Sequence, residues 1–125
     1  MGATIKPYTG PSSILLSLMA SGMNGNLFQF HGYLPIDITE RKKKIQALEA
    51  DAIQRNCTQL FIETPYRNQN LFNELKSLLT PSTFLCVAAD LTLSTEYIKT
   101  LTAQDWKTEN IDLHKRPCIF IFHKY

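Results

Sequence analysis

Leu60-Phe61-Ile62-Glu63-Thr64-Pro65-Tyr66-Arg67 is the stretch from which the fold of this chain can be read. Three apolar residues, a carboxylate and then Thr-Pro spell a buried strand that stops at the start of a helix. Thr64 suits an N-cap, where a side-chain oxygen accepts an otherwise orphan N–H. Pro65 suits the first helical position, where its missing N–H loses nothing. Glu63 is thereby expected at the carboxyl end of a strand. Ligands of open α/β sheets bind there, because strand ends and helix N-termini leave a crevice between them. An unpaired buried carboxylate is costly, so Glu63 must face solvent, a ligand or a cation such as Arg67.

Downstream, Leu71, Leu75, Leu78 and Leu79 make the apolar face of a helix that Thr80-Pro81-Ser82 stops. Phe84 to Ala89 is then a continuous apolar run that delivers a second carboxylate, Asp90. Tyr97-Ile98-Lys99 reads as an edge strand and Ala103 to Trp106 as a single helical turn. Pro117 to Phe122 is a strongly β-forming run, placed near the centre of the sheet or as its antiparallel member.

Upstream, Leu27 to Tyr33 alternates as a strand after the turn Asn24-Gly25-Asn26. Asp37 caps a helix to about Arg55, with Glu40 at the capping-box position and Ile45, Leu48, Ala52 and Ile53 on its buried stripe. Ser12 and Ser13 begin a helix through Ile14, Leu15, Leu18 and Met19, closed by Gly22, and its free N–H groups can hold a ligand oxygen. Thr4 to Tyr8 is an extended piece without a neighbouring strand to pair with. Strands alternating with amphipathic helices predict an α/β domain with a mixed, largely parallel sheet of about five strands.

The 125 residues, 44% hydrophobic and 19% charged, make one ordinary globular domain. No apolar run approaches the roughly 20 residues that cross a bilayer, and no leader pattern is present, so no membrane partner and a cytoplasmic location are expected. Cys57, Cys86 and Cys118, odd in number and set in apolar segments, read as reduced core residues. His31, His114 and His123 lack metal-ligand spacing, so no metal is expected. A net charge of +2 does not by itself argue for nucleic acid. Arg41-Lys42-Lys43-Lys44 is the densest basic cluster; such runs are usually a solvated helix face, and this one is useful if a polyanion docks. No catalytic triad, phosphate-binding loop or dinucleotide fingerprint appears. The residues alone thus reach a ligand crevice at Glu63, Asp90, Thr64 and Ser12, and no reaction.

The order of motifs goes further. Gly10-Pro11-Ser12-Ser13, Phe30-His31-Gly32-Tyr33-Leu34-Pro35, the Leu60–Arg67 stretch, Ala88-Ala89-Asp90-Leu91-Thr92 and Glu96 resemble the C-terminal half of the S-adenosylmethionine-dependent tetrapyrrole methylase superfamily. They are most similar to its branch that methylates the ribose 2′-hydroxyl of a cytidine in small-subunit ribosomal RNA. Ala89, Leu93 and Tyr66 stand where that branch usually has Arg, Lys and His, and an Arg–phosphate fork is not replaceable by Ala. The resemblance implies that residues 1–10 are a linker strand from a missing N-terminal domain, and residues 11–125 a C-terminal domain that catalyses nothing alone. It implies that Ser12, Ser13, Ile62, Glu63, Pro117 and Cys118 contact S-adenosylmethionine. Tyr66, Arg67 and Glu96 fall in motifs that face substrate, and Arg41 and Lys42 are expected on the ribosomal RNA or small subunit. Glu63 and Glu96 are candidate bases, neither preferred. A homodimer is an open option of the superfamily. The competing readings are a small-molecule methylase and a non-catalytic binding or dimerisation domain.

Overall fold

A computed structural model of the chain describes Gly22 and residues 27–91 and 93–124. The expected strand at Thr4 to Tyr8, the helix of Ser12, Ser13 and Ile14 to Met19, the turn at Asn24 to Asn26, and Thr92 lie outside the described residues.

Strands β1 (Phe28–Tyr33), β2 (Thr58–Glu63), β3 (Phe84–Ala89), β4 (Tyr97–Thr102) and β5 (Cys118–His123) alternate with helices α1 (Ile38–Arg55) and α2 (Asn68–Leu78) and the one-turn α3 (Ala103–Trp106). They form one mixed sheet in the order β1-β2-β5-β3-β4. The expectation of largely parallel pairing needs correcting. Only β1 and β2 pair in parallel, and β5 runs antiparallel to both β2 and β3. The last strand inserts at the centre because Cys-Ile-Phe-Ile-Phe is apolar on both faces, and all its residues are buried. As a result β2 and β3 point the same way on either side of it, so their carboxyl ends fall together.

Phe61, Val87, Phe120 and Phe122 face one way, where Ile45, Leu48 and Ala52 of α1, Leu71, Phe72 and Leu75 of α2, and Trp106 of α3 cover them. Leu60, Ile62, Cys86, Ala88, Ile119 and Ile121 form the opposite face, also buried. Trp106 Nε1 donates to the Leu85 carbonyl at 2.7 Å, which satisfies its one polar atom inside the core.

Asp37 caps α1 as expected, its Oδ2 accepting the Glu40 N–H at 3.0 Å. Asn56 closes that helix in the left-handed conformation, φ 51°. The predicted stripe differs at one position: Ile53 is exposed, and Arg41 takes a buried place instead. Helix α2 starts later than Thr64-Pro65 implies, with Arg67 as its N-cap, because Thr64 to Arg67 form a turn first. In β1, Gly32 at φ 70° coincides with a shift in pairing register between Phe30 and Tyr33, the usual use of a residue without Cβ in a bulge.

Candidate functional site

Three strand ends lie side by side. Glu63 is opposite Cys118 across one ladder, and Cys118 is opposite Ala89 across the other. The Asp90 N–H donates to the Pro117 carbonyl at 3.0 Å, which carries the row one residue further. The expected convergence of two acidic strand tips is therefore present, but their expected openness is not. Glu63 and Asp90 are both only 6% exposed, and each has a cation of this same domain. A carboxylate withdrawn from water that far has to be paired, and the chain supplies an arginine for each.

Glu63 Oε1 accepts the Thr64 N–H at 2.8 Å and Arg67 Nε at 3.3 Å, and Arg67 Nη2 completes the ion pair at 3.3 Å. Its Oε2 takes no part in these bonds. Asp90, whose φ of 51° turns the chain sharply out of β3, accepts through Oδ2 from Thr95 Oγ1 at 2.9 Å and from Arg116 Nε at 2.7 Å. Arg116 also donates to the carbonyls of Asp112 and Thr95. Asn68, the first residue of α2, is fully buried and donates to the Arg116 carbonyl. Its Oδ1 has no partner among the described residues.

The other expected site residues are distributed as follows. Ile62 lies one residue inside the β2 end and is 8% exposed. Pro117 is half-buried, and Cys118 is buried with its Sγ donating to the Arg116 carbonyl at 3.3 Å. Desolvation pushes the Cys118 thiol up to about 12 and the Cys86 thiol to about 11, so both stay protonated in the folded protein. Tyr66 is 70% exposed and meets the His114 ring edge-on, centroids 6.1 Å apart. Glu96 is exposed in the loop after β3, away from the row of strand ends in sequence. Ser12 and Ser13 lie outside the described residues.

Arg41 corrects the reading of the basic cluster. It is 8% exposed and grips Glu74 of α2 in a two-bond fork, Nε to Oε1 at 2.7 Å and Nη2 to Oε2 at 2.6 Å. Nη1 caps the Ile36 carbonyl at 2.7 Å. The Glu74 hydrogen bonds hold its pKa above the ordinary arginine value. A guanidinium so engaged is a brace between two helices and is not offered to a phosphate. Lys42, Lys43 and Lys44 remain exposed, and none is in an ion pair among the described residues.

The starts of α1 and α2 enclose a groove of about 290 Å³ beside the Glu63 end, lined by Ile38, Arg41, Glu63, Arg67, Asn70 and Asn73 among others. Its amides, like Arg116 and Asn68, were not picked out from sequence. Asn68-Gln69-Asn70 was a signal, because asparagine is a poor helix former at the head of an amphipathic segment.

Known proteins with these features can now be set beside the chain. No protein-family model matches it. It is 28% identical to the ribosomal RNA small subunit methyltransferase I of Vibrio cholerae over 99% of its own length and 43% of that protein's. It is 30% identical to the protein of that name from Mesorhizobium japonicum over 81% of its length and 33% of the relative's. The chain thus spans less than half the length of these relatives. Among solved structures, the methyltransferase CobJ superposes with a TM-score of 0.57 at 14% identity, over 89% of this chain and 47% of CobJ. The cobalt precorrin-4 methyltransferase CbiF superposes with a TM-score of 0.55 at 12% identity, covering 89% of this chain and 48% of CbiF. The chain is thus similar in sequence to part of the small-subunit methyltransferase I proteins, and its fold is like that of the matching halves of CobJ and CbiF.

Proposed function

We propose that this chain is the C-terminal portion of an S-adenosylmethionine-dependent methyltransferase that acts on small-subunit ribosomal RNA, at the ribose 2′-hydroxyl of a cytidine. One observation carries the reading: the match to the methyltransferase I proteins runs through 99% of the chain and includes the three converging strand ends.

The residues of this chain fit one wall of a cofactor cleft. The carboxylate oxygens without a hydrogen bond among the described residues at the row of strand ends, Glu63 Oε2 and Asp90 Oδ1, are acceptors. The ribose hydroxyls and amino groups of S-adenosylmethionine are donors, so the polar match has the right sense. Ile62 and Pro117 supply the apolar surface an adenine needs beside them, while Cys118 fills the floor as a protonated thiol and is no nucleophile. Ser12 and Ser13 belong to this wall on sequence resemblance. The cofactor, when bound, supplies an electrophilic methyl group. The chain's own part is orientation, which lowers the barrier by fixing the reactants, and exclusion of water. Removal of the hydroxyl proton falls to Glu63 or Glu96. Glu63 is tied to Arg67 at 3.3 Å, a distance at which the pair can loosen when a ligand competes for the carboxylate. The missing N-terminal half, a homodimer and a cytoplasmic site of action belong to this reading as well.

A small-molecule methylase of the same fold is the second reading, favoured by Ala89 and Leu93 where the RNA branch carries Arg and Lys. The test joins this chain to the upstream half of a relative and offers radiolabelled S-adenosylmethionine with small subunits from a strain lacking the enzyme. Label in a ribose 2′-O-methyl group of the RNA supports the proposal. Label absent from RNA but present in a tetrapyrrole acceptor supports the second reading and rejects the first.

A further inference from the structure

The groove between the starts of α1 and α2 has a chemistry the cofactor wall does not use. Its charges cancel. Arg41 is neutralised by Glu74 and Arg67 by Glu63, so no surplus cation is left for an anion. What remains available is neutral and directional. Asn70 and Asn73, one turn apart on α2, are exposed to the groove, and neither side chain makes a hydrogen bond among the described residues. Each offers a donor pair and an acceptor, and asparagine is a poorer helix former than alanine. Ile38, 57% exposed, gives the opposite lip an apolar surface. The volume of about 290 Å³ exceeds that of a single heteroaromatic ring system and falls short of a tetrapyrrole.

The groove continues into a second depression that shares Asn73 and Glu74 and is lined by Lys42. A neutral hydrogen-bonding pocket next to a lysine with no ion pair among the described residues matches the two parts of a nucleotide within a chain, an uncharged base and an anionic phosphate. We propose that this groove takes one unstacked base of a single-stranded RNA segment. Asn70 and Asn73 read its hydrogen-bonding edge, and Lys42 contacts the adjoining phosphate. This inference rests on the RNA reading above and adds a place on the protein for the substrate.

The test observes the side-chain amide resonances of Asn70 and Asn73 in the 125-residue chain by nitrogen–proton correlation spectra. Cytidine, uridine, adenosine, guanosine and ribose 5-phosphate are titrated separately, followed by a short single-stranded oligoribonucleotide. The expected result is a saturable shift of both amides with at least one nucleoside and none with ribose 5-phosphate. The oligonucleotide should bind more tightly than the nucleoside. Asn70→Ala with Asn73→Ala, conservative changes on an exposed helix face, should weaken nucleoside binding by about tenfold, as expected for two hydrogen bonds. Lys42→Ala should weaken only the oligonucleotide and lower its salt slope by about one. Equal shifts with ribose 5-phosphate, no shift with any nucleoside, or an oligonucleotide that binds no better than a nucleoside would each overturn the proposal. Neither cofactor nor turnover enters the readout, so a negative result here leaves the methyl-transfer assay to judge the RNA reading separately.

Discussion

Glu63 and Asp90 end neighbouring strands that run in the same direction, and both are 6% exposed, yet they are held in different ways. Asp90 is bound by a residue from a distant loop. Arg116 reaches it at 2.7 Å, is itself only 27% exposed, and spends its other two nitrogens on the carbonyls of Asp112 and Thr95. Glu63 is bound by a near neighbour. Arg67, four residues on and 44% exposed, lies at 3.3 Å, and Glu63 Oε2 is left over. The first arrangement ties the loop after β3 to the loop before β5 through an arginine whose Nε, Nη1 and Nη2 each make a hydrogen bond, although Asp90 Oδ1, like Glu63 Oε2, makes none among the described residues. The second keeps a buried carboxylate neutralised until something else comes to it. Of two similar acidic strand tips, then, one is locked by a short bond to a distant loop and the other is held more loosely by a near neighbour.

That contrast is broken most directly by removing each arginine. Arg116→Ala should cost roughly 3 kcal/mol of stability in urea denaturation, since it strands a buried carboxylate. Arg67→Ala should cost less, about 1 to 2 kcal/mol, because the pair it breaks is longer, its guanidinium is 44% exposed, and Glu63 keeps the Thr64 N–H. Equal losses would erase the distinction.

The next effect is alkaline. Burial raises the Cys118 thiol from 9.0 to about 12 and the Cys86 thiol from 9.0 to about 11. The unfolded chain ionises first, so stability is unaffected below pH 9 and declines as pH rises from there toward 11 to 12. The loss at pH 10 should be about 1 kcal/mol per thiol, and Cys118→Ala should flatten the profile. A flat profile in the unsubstituted protein would mean that these thiols see water, and with them the floor beneath Glu63.

Much of this arrangement was legible in the sequence. Five strands, the Asp37 cap and the carboxylates at positions 63 and 90 follow from apolar runs that stop at polar residues. The placement of β5 was only half legible, since a strand apolar on both faces can lie centrally in either direction and local sequence does not say which. Arg41 was misread because it sits in a run with three lysines. Its partner, Glu74, is 33 residues away, and no spacing rule links a residue of one helix to the next. The role of Arg116 stayed hidden for the same reason: the carboxylate it holds, Asp90, is 26 residues away.

A smaller effect separates the two ends of the basic run. Lys42→Ala should leave the unfolding midpoint within about 0.5 kcal/mol, as an exposed residue with no ion pair among the described residues, while lowering the salt dependence of RNA binding by about one unit. An unchanged salt slope would confine the RNA contact to other surfaces.

The loosely held strand tip is tested most directly by calorimetric titration of S-adenosylmethionine into the chain joined to its upstream half, with Glu63 unsubstituted and as Glu63→Gln. The predicted result is about tenfold weaker binding in the substituted protein at an unfolding midpoint lowered by less than about 1 kcal/mol, the loss expected for one charge-assisted hydrogen bond. Unaltered affinity would contradict the account, because the loosely held carboxylate of Glu63 would then take no part in binding the cofactor.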